Sequence, residues 1–164
     1  MRVLRMLKGT SRKPDEVVGL MPPDLVPVTV EKVAINAVLA GCKPEYMPVL
    51  LAALEAALTD EFGLHGLICT TMFGSPMIVV NGPAARAIGM NSGVNALGQG
   101  NRANATIGRA LQLIIRNVGG GRPARLTAQR WVIPASTASV LPRPKTPTGC
   151  RWRRSAVLRS GARR

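Results

Sequence analysis

The sequence predicts an α/β domain, with α+β as its variant: helices packed on a small buried sheet whose C-terminal part is incomplete. Three observations lead there. Apolar residues recur at helical spacing in Val30, Val33, Ala34, Ala37, Val38 and Gly41, and again in Ile107, Leu111, Ile114, Ile115 and Val118. Two short apolar runs between them, residues 66–71 and 76–80, are bounded by glycine and proline in the manner of buried strands. The 164 residues are 46% hydrophobic, enough to bury one core without disulfides or a metal. So few strands do not complete a doubly wound sheet, which fits a partial domain.

Taken in order, residues 1–28 begin polar and then gather Pro14, Pro22, Pro23 and Pro27. Proline removes backbone donors and turns the preceding residue away from helix, so this stretch reads as an extended lead-in. The α/β domain then covers residues 29–120. Thr29 is an N-cap candidate for a helix over 30–40, with Glu31 in its first turn and Gly41 as its stop. A second helix over 46–58 tolerates Pro48 in its first turn and is apolar nearly all round, as a buried helix must be. The two strands follow, and Pro83 opens a short helix that ends near Gly89. A glycine- and asparagine-rich loop leads into the last helix, over 103–118, which Gly119-Gly120-Gly121 ends.

Charge divides the chain. The total is +14, but residues 1–120 hold 11 Lys and Arg against all 8 acids, a net +3. Residues 121–164 carry the other 11 basic residues and no acid. Three explanations compete for this tail: a nucleic-acid arm, a disordered linker, or a stretch read out of frame. Basic patches gain affinity by releasing counterions from phosphate. A basic arm usually clusters Lys with Arg, whereas Lys145 is the tail's only lysine. Its Arg, Ala, Pro and Ser are what out-of-frame GC-rich codons encode, and shifting the frame back one base from Pro123 permits an acidic, aromatic continuation. The out-of-frame reading is favoured, so nucleic acid is a partner only if the tail is genuine. No apolar run approaches the roughly 20 residues that cross a bilayer, and no secretory signal opens the chain. The expectation is a cytoplasmic protein with no membrane partner. Apolar surface left uncovered near Gly121 would favour a homo-oligomer.

Chemistry is best sought in the loop from Met90 to Arg102, which combines Asn91, Ser92, Asn95, Asn101 and Arg102 with glycines that permit close backbone approach. It runs into a helix N-terminus, where free N–H groups and the dipole attract anions, and Arg102 could grip a carboxylate or phosphate bidentately. The competing reading is that Asn and Gly satisfy turns and cap the helix. Gly98, Gly100 and Ala103 fit G-x-G-x-x-A, but no strand precedes them and no acid follows, so no cofactor is assigned. Cys42 is the candidate reactive thiol: neighbouring Lys43 and the next helix's N-terminus would lower its pKa. The plainer alternative is a small buried apolar residue. Cys69 is expected in a strand core. His65, the only histidine, is a general-base candidate but reads more simply as a turn residue. One His and dispersed Cys give no metal site.

Several stretches resemble a known bacterial family: Pro27-Val28-Thr29-Val30-Glu31-Lys32-Val33-Ala34-Ile35-Asn36-Ala37-Val38, Ala40-Gly41-Cys42, Pro44-Glu45-Tyr46 and Asn104-Ala105-Thr106-Ile107-Gly108-Arg109-Ala110-Leu111. The chain is similar to the UGSC-like, selenoprotein-related group, some members of which are labelled thiol-disulfide oxidoreductases. The likeness spans about residues 4–123. It implies an oxidoreductase-like enzyme domain, and the loop over residues 90–104 is expected to bind a small anionic or amide-rich substrate. The positions that match are Cys42 as the catalytic candidate, with Asn91, Ser92, Asn95, Asn101, Arg102, Asn104 and Arg109 as substrate-binding candidates. The Cys- or Sec-Gly-Ser-Cys motif that names the group is absent, so redox chemistry is not carried over. Members of the group continue past the last helix with a segment like the shifted-frame continuation, which leaves this copy without its C-terminal part.

Overall fold

A computed structural model describes residues 1–70, 76–121 and 138–139. Helices pack on a small sheet. The elements are α1 (Arg2–Leu7), β1 (Val17–Met21), β2 (Val26–Thr29), α2 (Val30–Ala40), α3 (Met47–Ala57), α4 (Leu64–Cys69), β3 (Ile78–Val79), α5 (Pro83–Ala87), α6 (Arg102–Asn117) and β4 (Ala138–Ser139). Single 3-10 turns at Pro44–Tyr46 and Asp60–Phe62 precede α3 and α4. Among the described residues no helix is long and apolar enough to cross a membrane.

Helix α2 forms where its end signals place it. The Thr29 side chain accepts from the Lys32 N–H (3.3 Å), and Gly41 closes the helix with φ +88°, a left-handed conformation that disfavours other residues. The remaining N–H groups of its first turn are met by the segment before β1: Val30 donates to Glu16 O (3.0 Å) and Glu31 to Pro14 O (2.9 Å). Val30, Val33, Ala34 and Ala37 are fully buried, chiefly against α6. Helix α6 contributes Ile107, Leu111 and Ile114, also fully buried, each stabilising by about 1.5–3 kcal/mol. The two helices run in opposite senses, since Asn117 near the end of α6 bonds Asn36 while Arg102 at its start reaches Gly41. Helix α3 is buried at Met47, Leu50 and Leu54, as its apolar composition requires.

Two stretches differ from expectation. Residues 1–28 are not an extended lead-in: they form α1 and most of an antiparallel hairpin with Leu20 opposite Pro27 and Met21 opposite Val26. The prolines are accommodated because a two-stranded sheet has only edge strands, and because Pro22 and Pro23 sit in the connection, joined by a cis bond. Residues 66–71 do not make a strand, because α4 occupies Leu64–Cys69 after Gly63 turns the chain at φ +61°. A short apolar run suits a buried helix turn as well as a buried strand, and period alone does not separate them. Cys69 is accordingly half-buried at a helix end rather than in a strand core. The second expected strand contracts to β3, which pairs in parallel with β4.

The glycines after α6 do more than stop a helix. A side chain at Gly119 would strike Pro22 O, one at Gly120 would strike the Asp24 carboxylate, and Asp24 N donates to Gly119 O (3.1 Å). The hairpin tip therefore seats on backbone that only glycine leaves open.

Candidate functional site

The end of α2, the start of α3 and the start of α6 converge on one corner, and the 89–101 loop folds over its edge. Asn101 caps α6: its Oδ1 accepts from Asn104 N (3.0 Å), while its Nδ2 donates to Gly89 O (2.8 Å). Asn104, fully buried, pins the loop from inside. Its Oδ1 accepts from Asn91 N (3.0 Å), and its Nδ2 donates to Asn91 O (2.8 Å) and Ala96 O (3.0 Å). Asn91 forms a local turn around exposed Ser92, accepting from Gly93 N (2.9 Å) and donating to Val94 O (3.0 Å). Asn95, at φ +62°, donates to Gln99 O (2.9 Å), and its amide fills the space a side chain at Gly98 would need.

These bonds assign the amides. Asn91, Asn95, Asn101 and Asn104 satisfy backbone groups of the loop itself, as the plainer sequence reading had it. Outward-facing groups are Ser92, Arg102 and Arg109, all exposed. Arg102 and Arg109, seven residues apart on α6, share one helix face about 10 Å from each other by helix rise. Arg102 donates its Nε to Gly41 O (2.9 Å), so a cation meets the carbonyl end of α2. Among the described residues its two terminal nitrogens have no partner. The first turn of α6 carries no acid, which leaves the positive end of that helix uncompensated.

Cys42 lies directly behind this corner, buried, with its Sγ donating to Thr106 O (3.3 Å). Burial pushes the thiol above its ordinary pKa, outweighing the opposing effects of Thr106 and the Arg102 charge. The expected lowering by Lys43 and the α3 N-terminus is therefore absent; Lys43 points to solvent. Tyr46, which sequence reasoning did not weigh as a site residue, is buried beside Cys42, and burial raises its phenol too against the Arg102 charge. His65 is exposed on α4. Among the described residues no three His, Cys, Asp or Glu side chains gather as a metal site would require.

Comparison with family models, with characterised proteins and with solved structures finds no match.

Proposed function

We propose that this chain is the substrate-binding domain of a bacterial, UGSC-like, oxidoreductase-like enzyme, and that its corner at the start of α6 takes a small anionic substrate. One observation carries the reading. Arg102 is fixed through Nε to Gly41 O, exposed, at the first position of a helix whose opening turn has no acid. A guanidinium held this way presents its two terminal nitrogens as a preset fork for a carboxylate or phosphate. Arg109 extends the positive face along α6, and Ser92 offers a hydroxyl at the loop's outer edge. Cys42 walls the site from behind as a neutral thiol, so it shapes the corner rather than attacking a substrate.

Titration calorimetry of the full chain with inorganic phosphate and with succinate tests this. Binding should weaken by well over tenfold in Arg102→Ala and recover in part in Arg102→Lys, which restores charge but not the fork. An equal dissociation constant for Arg102→Ala and the unaltered chain refutes the assignment.

A second reading rests on a separate observation, the 11 basic residues and no acid of 121–164. A tail of that charge binds nucleic acid with log K falling as log[salt] rises, at about −0.9 per phosphate neutralised. Binding that survives removal of residues 122–164 excludes it.

A further inference from the structure

A surface groove runs along one flank of α2, between the hairpin and the end of α6. It is an open groove of about 380 Å³, lined by Val26, Lys32, Ile35, Asn36, Leu39, Asn117 and Val118. Lys32, Ile35, Asn36 and Leu39 fall at i, i+3, i+4 and i+7, so α2 presents them as one stripe. β2 supplies Val26, and α6 supplies Asn117 and then Val118 just past its end.

We propose that this groove binds an aliphatic monocarboxylate of medium chain length, at a site separate from the Arg102 corner. The size is at the lower end of the roughly 300–1,000 Å³ of small-molecule sites. The walls are Val26, Ile35, Leu39 and Val118, all aliphatic. With no aromatic face among them, they favour a flexible alkyl chain over a flat ring. Leu39 is 61% exposed and Ile35 40%, apolar surface that an alkyl chain would take from water. The polar groups sit together rather than scattered. Asn36, 4% exposed, donates to Lys32 O (2.9 Å) and accepts from Asn117 Nδ2 (2.7 Å), which leaves Asn117 a second N–H for a carboxylate oxygen. Among the described residues Lys32 is the one charged group of the lining; its Nζ is steadied on Pro27 O (2.8 Å) and keeps two further N–H donors. Among the described residues the lining holds a single cation and no acid, which favours a carboxylate head.

The test follows backbone amide signals of the full chain by NMR during titration with octanoate, octan-1-ol and octylamine, each below its aggregation concentration. Octanoate should bind saturably, with shifts concentrated at residues 26–39 and 117–118, and more tightly than the alcohol or the amine. Lys32→Gln should weaken octanoate by about two- to fivefold, the range of an exposed ion pair, and leave octanol unchanged. Leu39→Asp, at an exposed position that leaves the core intact, should abolish both. Octylamine binding as well as octanoate overturns the proposal. So does unchanged affinity in Leu39→Asp, or shifts spread over distant exposed residues such as Leu20 and Val94.

Discussion

Replacing Asn104 by alanine should cost about 3 kcal/mol of stability and free the 89–101 loop. The side chain is fully buried and makes three hydrogen bonds, to Asn91 N, Asn91 O and Ala96 O. Each buried bond contributes about 1 kcal/mol net, and their loss leaves one donor and two acceptors of the loop without partners inside the protein. The Asn101 cap of α6 is untouched, because it uses the backbone N–H of residue 104. The loss should therefore be concentrated in the loop. Urea unfolding measures the total, and amide hydrogen exchange at Asn91 reads the local part, where 3 kcal/mol corresponds to roughly a hundredfold loss of protection. Asn104→Asp sharpens the test. It keeps the acceptor for Asn91 N but turns a carboxylate oxygen toward two carbonyl oxygens, so it should be at least as damaging at pH 7. Protonation restores one donor, so its stability should rise as pH falls through the carboxylate range. A stability change under about 1 kcal/mol for Asn104→Ala, with exchange at Asn91 unaltered, refutes the argument that this side chain holds the loop.

Three further outcomes are expected. Because burial raises the Cys42 thiol in the folded chain, the neutral form favours folding, and stability should fall as pH rises past the ordinary thiol value near 9; Cys42→Ala should flatten urea midpoints measured from pH 8 to 9.5, a window kept below the ordinary phenol value of 10 at which Tyr46 adds a drop of the same sign, and an unchanged slope would refute it. Gly120→Ala forces a side chain into φ +77° and against the Asp24 carboxylate, so a loss of at least about 2 kcal/mol is expected in thermal unfolding, with part regained when Asp24→Ala is added. Sequencing the DNA across the codons for Gly119 to Ala124 should reveal a lost or gained base; an unaltered reading frame makes the basic tail genuine and moves the salt-dependent nucleic-acid test to the front.

The parts of the fold that were legible in the sequence are those set by local chemistry. Thr29 and Gly41 bracket α2, and Asn101 and the apolar stripe from Ile107 to Ile115 define α6, because caps and helical period act within a few residues. The hairpin was not legible because each proline alone disfavours a strand, while what admits them is the edge position of both strands. Helix α4 escaped because six residues are too few for a period to declare itself. The candidate loop was legible as a special segment, but the direction of its amides was not. Which carbonyl Asn104 meets depends on how 13 residues of chain fold back over it. The contact of Cys42 with Thr106 bridges 64 residues, so neither the burial of that thiol nor its raised pKa is written near Cys42.

The pairing of α2 with α6 also sets a schedule. The apolar face of α2 is complete once residue 40 has been made, but its cover is not finished until residue 117. At about 5–20 residues per second, the ribosome takes roughly 4–15 s to bridge that interval. For that time Val30, Val33, Ala34 and Ala37 have no α6 to pack on, and the emerging chain offers them to any apolar surface nearby. Contacts so far apart in sequence also slow the closing step itself. A nascent chain of this design is most exposed to chaperones and to its own neighbours just before α6 arrives.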